Sequence, residues 1–189
     1  MTQENLAMML AKLKDFSEMM IDLAYSSLLY GSEEIATHVL EMEEKMDILH
    51  TEFDLAVLKL GAKRDVKGLL GLIRLASASE MFADAAKMMA DIVKKGVRAH
   101  PVVLMAMEQA EETIIATEIV ASSDLCGQRL GELGLEDDIG MRIIAVKRCE
   151  NWIYNPQDYF SLQSGDLIIA RGYSEGREKL LSLADPTNN

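Results

Sequence analysis

Apolar residues recur at alternating steps of three and four through the first part of the chain. Leu6, Met9, Leu13, Phe16, Met20, Leu23, Ser27 and Tyr30 form one such stripe, which predicts a helix over roughly 3–29. Gly31 breaks it. Ser32 is a natural N-cap, followed by the first-turn acids Glu33 and Glu34. A second stripe of Ile35, Val39, Met42, Met46, Leu49, Phe53, Ala56 and Leu60 predicts a helix closed by Gly61. A third helix runs from Asp65 or Val66 to Lys95, ends at Gly96 and is apolar in nearly every direction. Pro101 suits the first turn of a shorter helix to about Thr113. Three long stripes with short connections predict an antiparallel bundle, and so much apolar surface predicts self-association.

The pattern then changes. Ile115 to Ala121 reads as a strand and Gln128 to Leu133 as a short helix. Met141 to Arg148 is a strong strand, and a Cys149-Glu150-Asn151 turn leads to Trp152-Ile153-Tyr154. A Gly165-Asp166 turn precedes a strand from Leu167 to Arg171, and Ser174 caps a last helix to about Leu183. The expected fold class is multi-domain: an N-terminal antiparallel helical bundle over 1–112, then a small α+β domain over 113–189. Composition moves with the pattern, since 12 of the 13 Met fall in residues 1–120 and seven of the 12 Gly after them.

Charge narrows the function classes. The formal net charge is −12, which argues against a general nucleic-acid binder and against a polybasic membrane-surface protein. No run of about 18 apolar residues occurs, so no direct membrane span is expected. The segment Met1 to Asn5 lacks a basic start and an apolar core, so no secretory signal is expected. Two cysteines, Cys126 and Cys149, are too few for a disulfide scaffold, so a reducing cytoplasm is the expected setting.

The chemistry is sparse. Glu43 and Asp47 lie one helical turn apart, as do Glu80 and Asp84. Packed antiparallel, the two pairs could converge, and a divalent metal would relieve their repulsion. The other reading is a solvated stripe of Ser77, Glu80, Asp84, Lys87 and Asp91, partly neutralised by Lys87. His38 and His50 are about three turns apart, too far for one ion, and His100 stands at a helix start, so structural roles are expected for all three. The cysteines have no motif context, and no nucleophile-elbow pattern appears, so no enzymatic activity is expected.

Several fixed offsets in the second part resemble a TrkA C-terminal (RCK_C) domain. They are Leu125 to Leu133 with its Gly-x-x-Leu-x-x-Leu element, Ile144-Ala145-Val146-Lys147-Arg148, Asn155-Pro156 and Leu162-Gln163-Ser164-Gly165-Asp166. Residues 1–110 resemble one three-helix PhoU unit, on Glu43-x-x-x-Asp47 and Ser79-Glu80-Met81-Phe82-Ala83-Asp84. The pairing is similar to small proteins linked to potassium transport. It implies a cytosolic regulatory subunit with a membrane cation transporter as partner. The TrkA-C resemblance implies that Ile144, Val146, Lys147, Arg148, Asn155 and Pro156 bind a small anionic ligand between two subunits, cyclic di-AMP in some members. The open alternative for these residues is a buried Ile144 and Val146 beside a solvated Arg148. No Gly-x-Gly-x-x-Gly follows a strand, so a Rossmann nucleotide site is not expected. PhoU proteins typically carry two three-helix units, so one unit here implies a homodimer. The alternative function is a PhoU-like metal-binding protein of phosphate signalling, with metal on Glu43, Asp47, Glu80 and Asp84.

Overall fold

The computed structural model describes residues 3–60 and 66–187. Its first three helices are α1 (Gln3–Tyr30), α2 (Glu33–Leu60) and α3 (Val66–Lys94), each in contact with the other two. The α1–α2 break falls where the sequence places it. Gly31 takes a left-handed φ of 59°, and Ser32 caps α2 by accepting from the Ile35 N–H at 3.3 Å. The expected closing role of Gly61 and the Asp65 start of α3 lie outside the described residues.

The bundle core is asymmetric. From α1 and α2 it takes large side chains, among them Leu13, Met20, Leu23, Met46 and Phe53. From α3 it takes Ala76, Ser79, Ala83, Ala86, Ala90 and Val93. Small residues let the α3 backbone approach its neighbours closely, so the larger side chains of α3 point elsewhere.

The chain divides into two compact units, Met1–Ala99 and His100–Asn189. The short helix α4 (Pro101–Glu108) thus falls in the second unit, not in the bundle expected over 1–112. It ends five residues earlier than the Thr113 expected for it, because Glu112 already starts a strand. His100 caps α4, its Nδ1 accepting from the Val102 N–H at 3.2 Å.

The second unit holds β1 (Glu112–Glu118), α5 (Leu130–Leu133), α6 (Leu135–Ile139), β2 (Met141–Arg148), β3 (Asn151–Tyr154), β4 (Leu167–Tyr173) and α7 (Ser174–Ala184). The strands form one antiparallel sheet in the order β1-β4-β2-β3. A shift in register between Ile143 and Ala145 marks a bulge at Ile144. One core packs Ile115, Ile119, Met141, Ile143, Val146 and Ile168 against Leu180 and Ala184 of α7. Gly176 lets α7 come this close: a Cβ there would lie 2.0 Å from the Ile139 carbonyl oxygen.

Candidate ligand site

The β2–β3 hairpin brings the expected ligand residues into one neighbourhood and sorts them. Val146 is fully buried within the domain core. Ile144, at the bulge, is also buried, and its carbonyl accepts from the Asn155 N–H at 2.9 Å. Arg148 is engaged by the domain itself. Its Nε and Nη2 donate to the two oxygens of Asp166, each at 2.8 Å, and Nη2 also donates to the Ser161 carbonyl. Asp166 is 1% exposed and also accepts from the Gln163 N–H. The hydrogen bonds to Asp166 hold the Arg148 guanidinium above its ordinary pKa, against desolvation. The guanidinium also stacks on the Phe160 ring at 4.8 Å. Val146 and Arg148, expected at the ligand, therefore serve the domain's own packing: a bidentate pair under the sheet leaves Arg148 no free fork for a phosphate.

Lys147, Asn155 and Pro156 stand differently. Lys147 pairs in register with Trp152 and lies 5.8 Å from its ring, and Trp152 stacks on Tyr154 at 5.9 Å. Asn155 has a left-handed φ of 47°, which turns its side chain toward Arg142, and its Oδ1 accepts from Arg142 Nη2 at 3.3 Å. Pro156 and Arg142 line a cavity of about 370 Å³ walled by Leu130, Leu135, Met141 and Ile143. Glu136, Asp137 and Asp158 line it as well. Arg142 is the cation that the sequence reading missed. Its signal was the exposed position in an otherwise buried strand, one turn of the pleat before Ile144.

The bundle carboxylates do not meet as a group of four. Glu43 is buried and accepts from Lys87 Nζ across α2 and α3. That hydrogen bond raises the Lys87 pKa above its ordinary value, with Asp47 and Asp84 adding to it through their charge. Glu80 instead lies 2.8 Å from His50 Nδ1. Among the described residues no set of three or more His, Cys, Asp or Glu is arranged to hold a metal ion. The physical reason is Lys87: it occupies the charge-balancing place between the helices that a divalent cation on Glu43, Asp47, Glu80 and Asp84 would need.

Comparison with known proteins settles the architecture. Residues 10–93 match the PhoU domain model and residues 114–185 match the TrkA-C domain model. The chain is a PhoU domain joined to a TrkA-C domain. No curated protein sequence matches it. Among solved structures it is similar to the RCK C domain of the potassium transport protein KtrA in complex with cyclic diadenosine monophosphate. That likeness has 28% identity and a TM-score of 0.35, over 44% of this chain and 98% of that one. It is similar to the RCK_C domain dimer of S. agalactiae BusR in complex with c-di-AMP, at 18% identity and a TM-score of 0.38, over 42% and 98% of the two chains. A third likeness is to S. agalactiae BusR in complex with its busAB-promotor DNA, at 17% identity and a TM-score of 0.38, over 92% and 98%. At these TM-scores none of the three bears on the fold or function of the chain. No described helix of this PhoU–TrkA-C chain is long and apolar enough to cross a membrane.

Proposed function

We propose that this PhoU–TrkA-C chain is a non-enzymatic, cytoplasmic regulatory subunit of cation transport, with potassium as the cation. In this reading the TrkA-C domain senses a small anionic ligand. The bundle dimerises and passes the bound state to a membrane transporter. The TrkA-C match over 114–185 carries the proposal. Support comes from the cavity where Pro156 meets an Arg142 held in place by Asn155.

The chemistry of that cavity favours a cyclic dinucleotide such as cyclic di-AMP over a free polyphosphate. Arg142 answers one phosphate charge bidentately. Glu136, Asp137 and Asp158 accept from ribose hydroxyls and exocyclic amines, and they repel a ligand with several clustered negative charges. The apolar wall of Leu130, Ile143 and Pro156 supports a flat base. A ligand regulates only by binding one state of the subunit better than the other. The metal-binding alternative in phosphate signalling finds Glu43 paired with Lys87 and Glu80 beside His50.

Titration calorimetry with cyclic di-AMP tests the reading. The wild-type chain binds it, and Arg142→Ala weakens binding by roughly 10- to 100-fold, the value of a lost charge-assisted hydrogen bond. A chain that binds no cyclic dinucleotide and associates with no cation transporter overturns the proposal.

A further inference from the structure

From Leu75 to Ile92, one outward side of α3 is lined by apolar residues. Leu75 is 53% exposed, Met81 71%, Phe82 60%, Met88 69% and Ile92 41%. From Leu75 to Ile92 the positions of this face are Leu75, Ala78, Met81, Phe82, Ala85, Met88, Met89 and Ile92, and none carries a charge. The charged residues Glu80, Asp84, Lys87 and Asp91 fall on a separate stripe. At roughly 200 Å² for a large apolar side chain, the five exposed fractions amount to about 600 Å², against roughly 800 Å² per partner in a standard stable interface. Ala85, also exposed, and the half-buried Ala78 and Met89 add to that area.

We propose that this face is the seat of a second copy of the chain, with α3 packed antiparallel on α3 of the partner about a two-fold axis. The proposal rests on the dimeric reading above and names its surface. The evidence is the order of side-chain sizes. Along the seam the residues run Leu75, Ala78, Phe82, Ala85, Met89, Ile92, at steps of three, four, three, four and three. A two-fold interface must be self-complementary: if one residue meets a second, the second meets the first. Reversing this run and setting Phe82 opposite Ala85 also sets Ala78 opposite Met89 and Leu75 opposite Ile92. Both central layers then pair a large side chain with an alanine, which lets the two helices approach and interdigitate. A parallel pairing would set Phe82 on Phe82 and Ala85 on Ala85, alternating a clash with a void.

Sedimentation equilibrium of the full chain tests the face, with circular dichroism reporting the fold. The wild-type chain dimerises, and Phe82→Glu and Ala85→Glu each raise the dimer dissociation constant roughly 100-fold or more by setting like charges together on the axis. Cross-linking tests the register independently, in a chain with Cys126→Ser and Cys149→Ser. Leu75→Cys and Ile92→Cys chains, mixed, form a disulfide with each other and not with themselves, since like positions lie about 25 Å apart along antiparallel helices. Should the Glu variants fail to fold, this cross-link decides alone. A dimer that survives both Glu variants, or cysteines that join only to their own kind, overturns the face and leaves the regulator reading in place. A monomeric wild-type chain that still binds cyclic di-AMP removes the dimer and keeps ligand sensing.

Discussion

Helix α3 and its neighbours expose eight or more large apolar side chains, from Ile48 and Leu58 on α2 to Phe82 and Met88 on α3. In the second unit, by contrast, the exposed large hydrophobic residues are Val102, Leu104 and Met105 on α4 and, from Glu112 to Thr187, Tyr159 and Tyr173, whose hydroxyls suit water. The sheet domain closes its own core and places an ion pair beneath it. The bundle fills its core from α1 and α2, meets it with alanines from α3 and keeps apolar surface in reserve. The difference teaches where each unit's business lies. The PhoU domain presents apolar packing surface, and the TrkA-C domain a cavity with charged walls beside a closed core.

The largest test of that contrast is charge. Arg148→Ala leaves the Asp166 carboxylate buried without a cation and costs about 3 kcal/mol in urea unfolding of the second unit. Lys87→Met, its counterpart in the bundle, costs about 1 kcal/mol, because the lysine side chain is 42% exposed and solvent screens the pair. Equal losses would erase the distinction between the two units. Gly176→Ala falls between them. Its new methyl group meets the Ile139 carbonyl, so α7 must shift, at about 2 kcal/mol by thermal unfolding. The smallest effect is a pH dependence. Burial pushes His38 below its ordinary value of 6.5, with Glu41 opposing. The unfolded chain thus takes up the proton first: the His38 contribution is complete above pH 6.5 and is lost as pH falls through the lower folded value. His38→Gln flattens the unfolding free energy of the bundle across that range, and an unchanged profile refutes the assignment.

Much of this was legible in the chain. The helix break at Gly31-Ser32 and the strand Met141 to Arg148 follow from local signals, a left-handed glycine with its cap and a run of β-branched residues. The edges between elements were less so. Thr113 reads as the end of a helix, and its pairing with Gly172 of β4 makes it part of the strand. The Asn155-Pro156 motif was readable from its offset. Arg148 was not, because its partner Asp166 is 18 positions away and meets it only once β4 lies beside β2. Arg142 escaped because its role depends on the left-handed turn at Asn155. The carboxylate stripe was readable as charge but not as geometry: Lys87, noted as a neutralising neighbour on α3, reaches across to α2.

The strand order carries a kinetic consequence. β1, the first strand, pairs with β4, the last, and among the described residues with no other strand. Its ladder closes only when nearly the whole TrkA-C domain has left the ribosome, and closing so long a loop is entropically slow. The bundle is complete by Lys94, once α3 packs on both α1 and α2. Synthesis therefore delivers a formed PhoU domain first, with the apolar face of α3 already in place while the TrkA-C domain is still assembling.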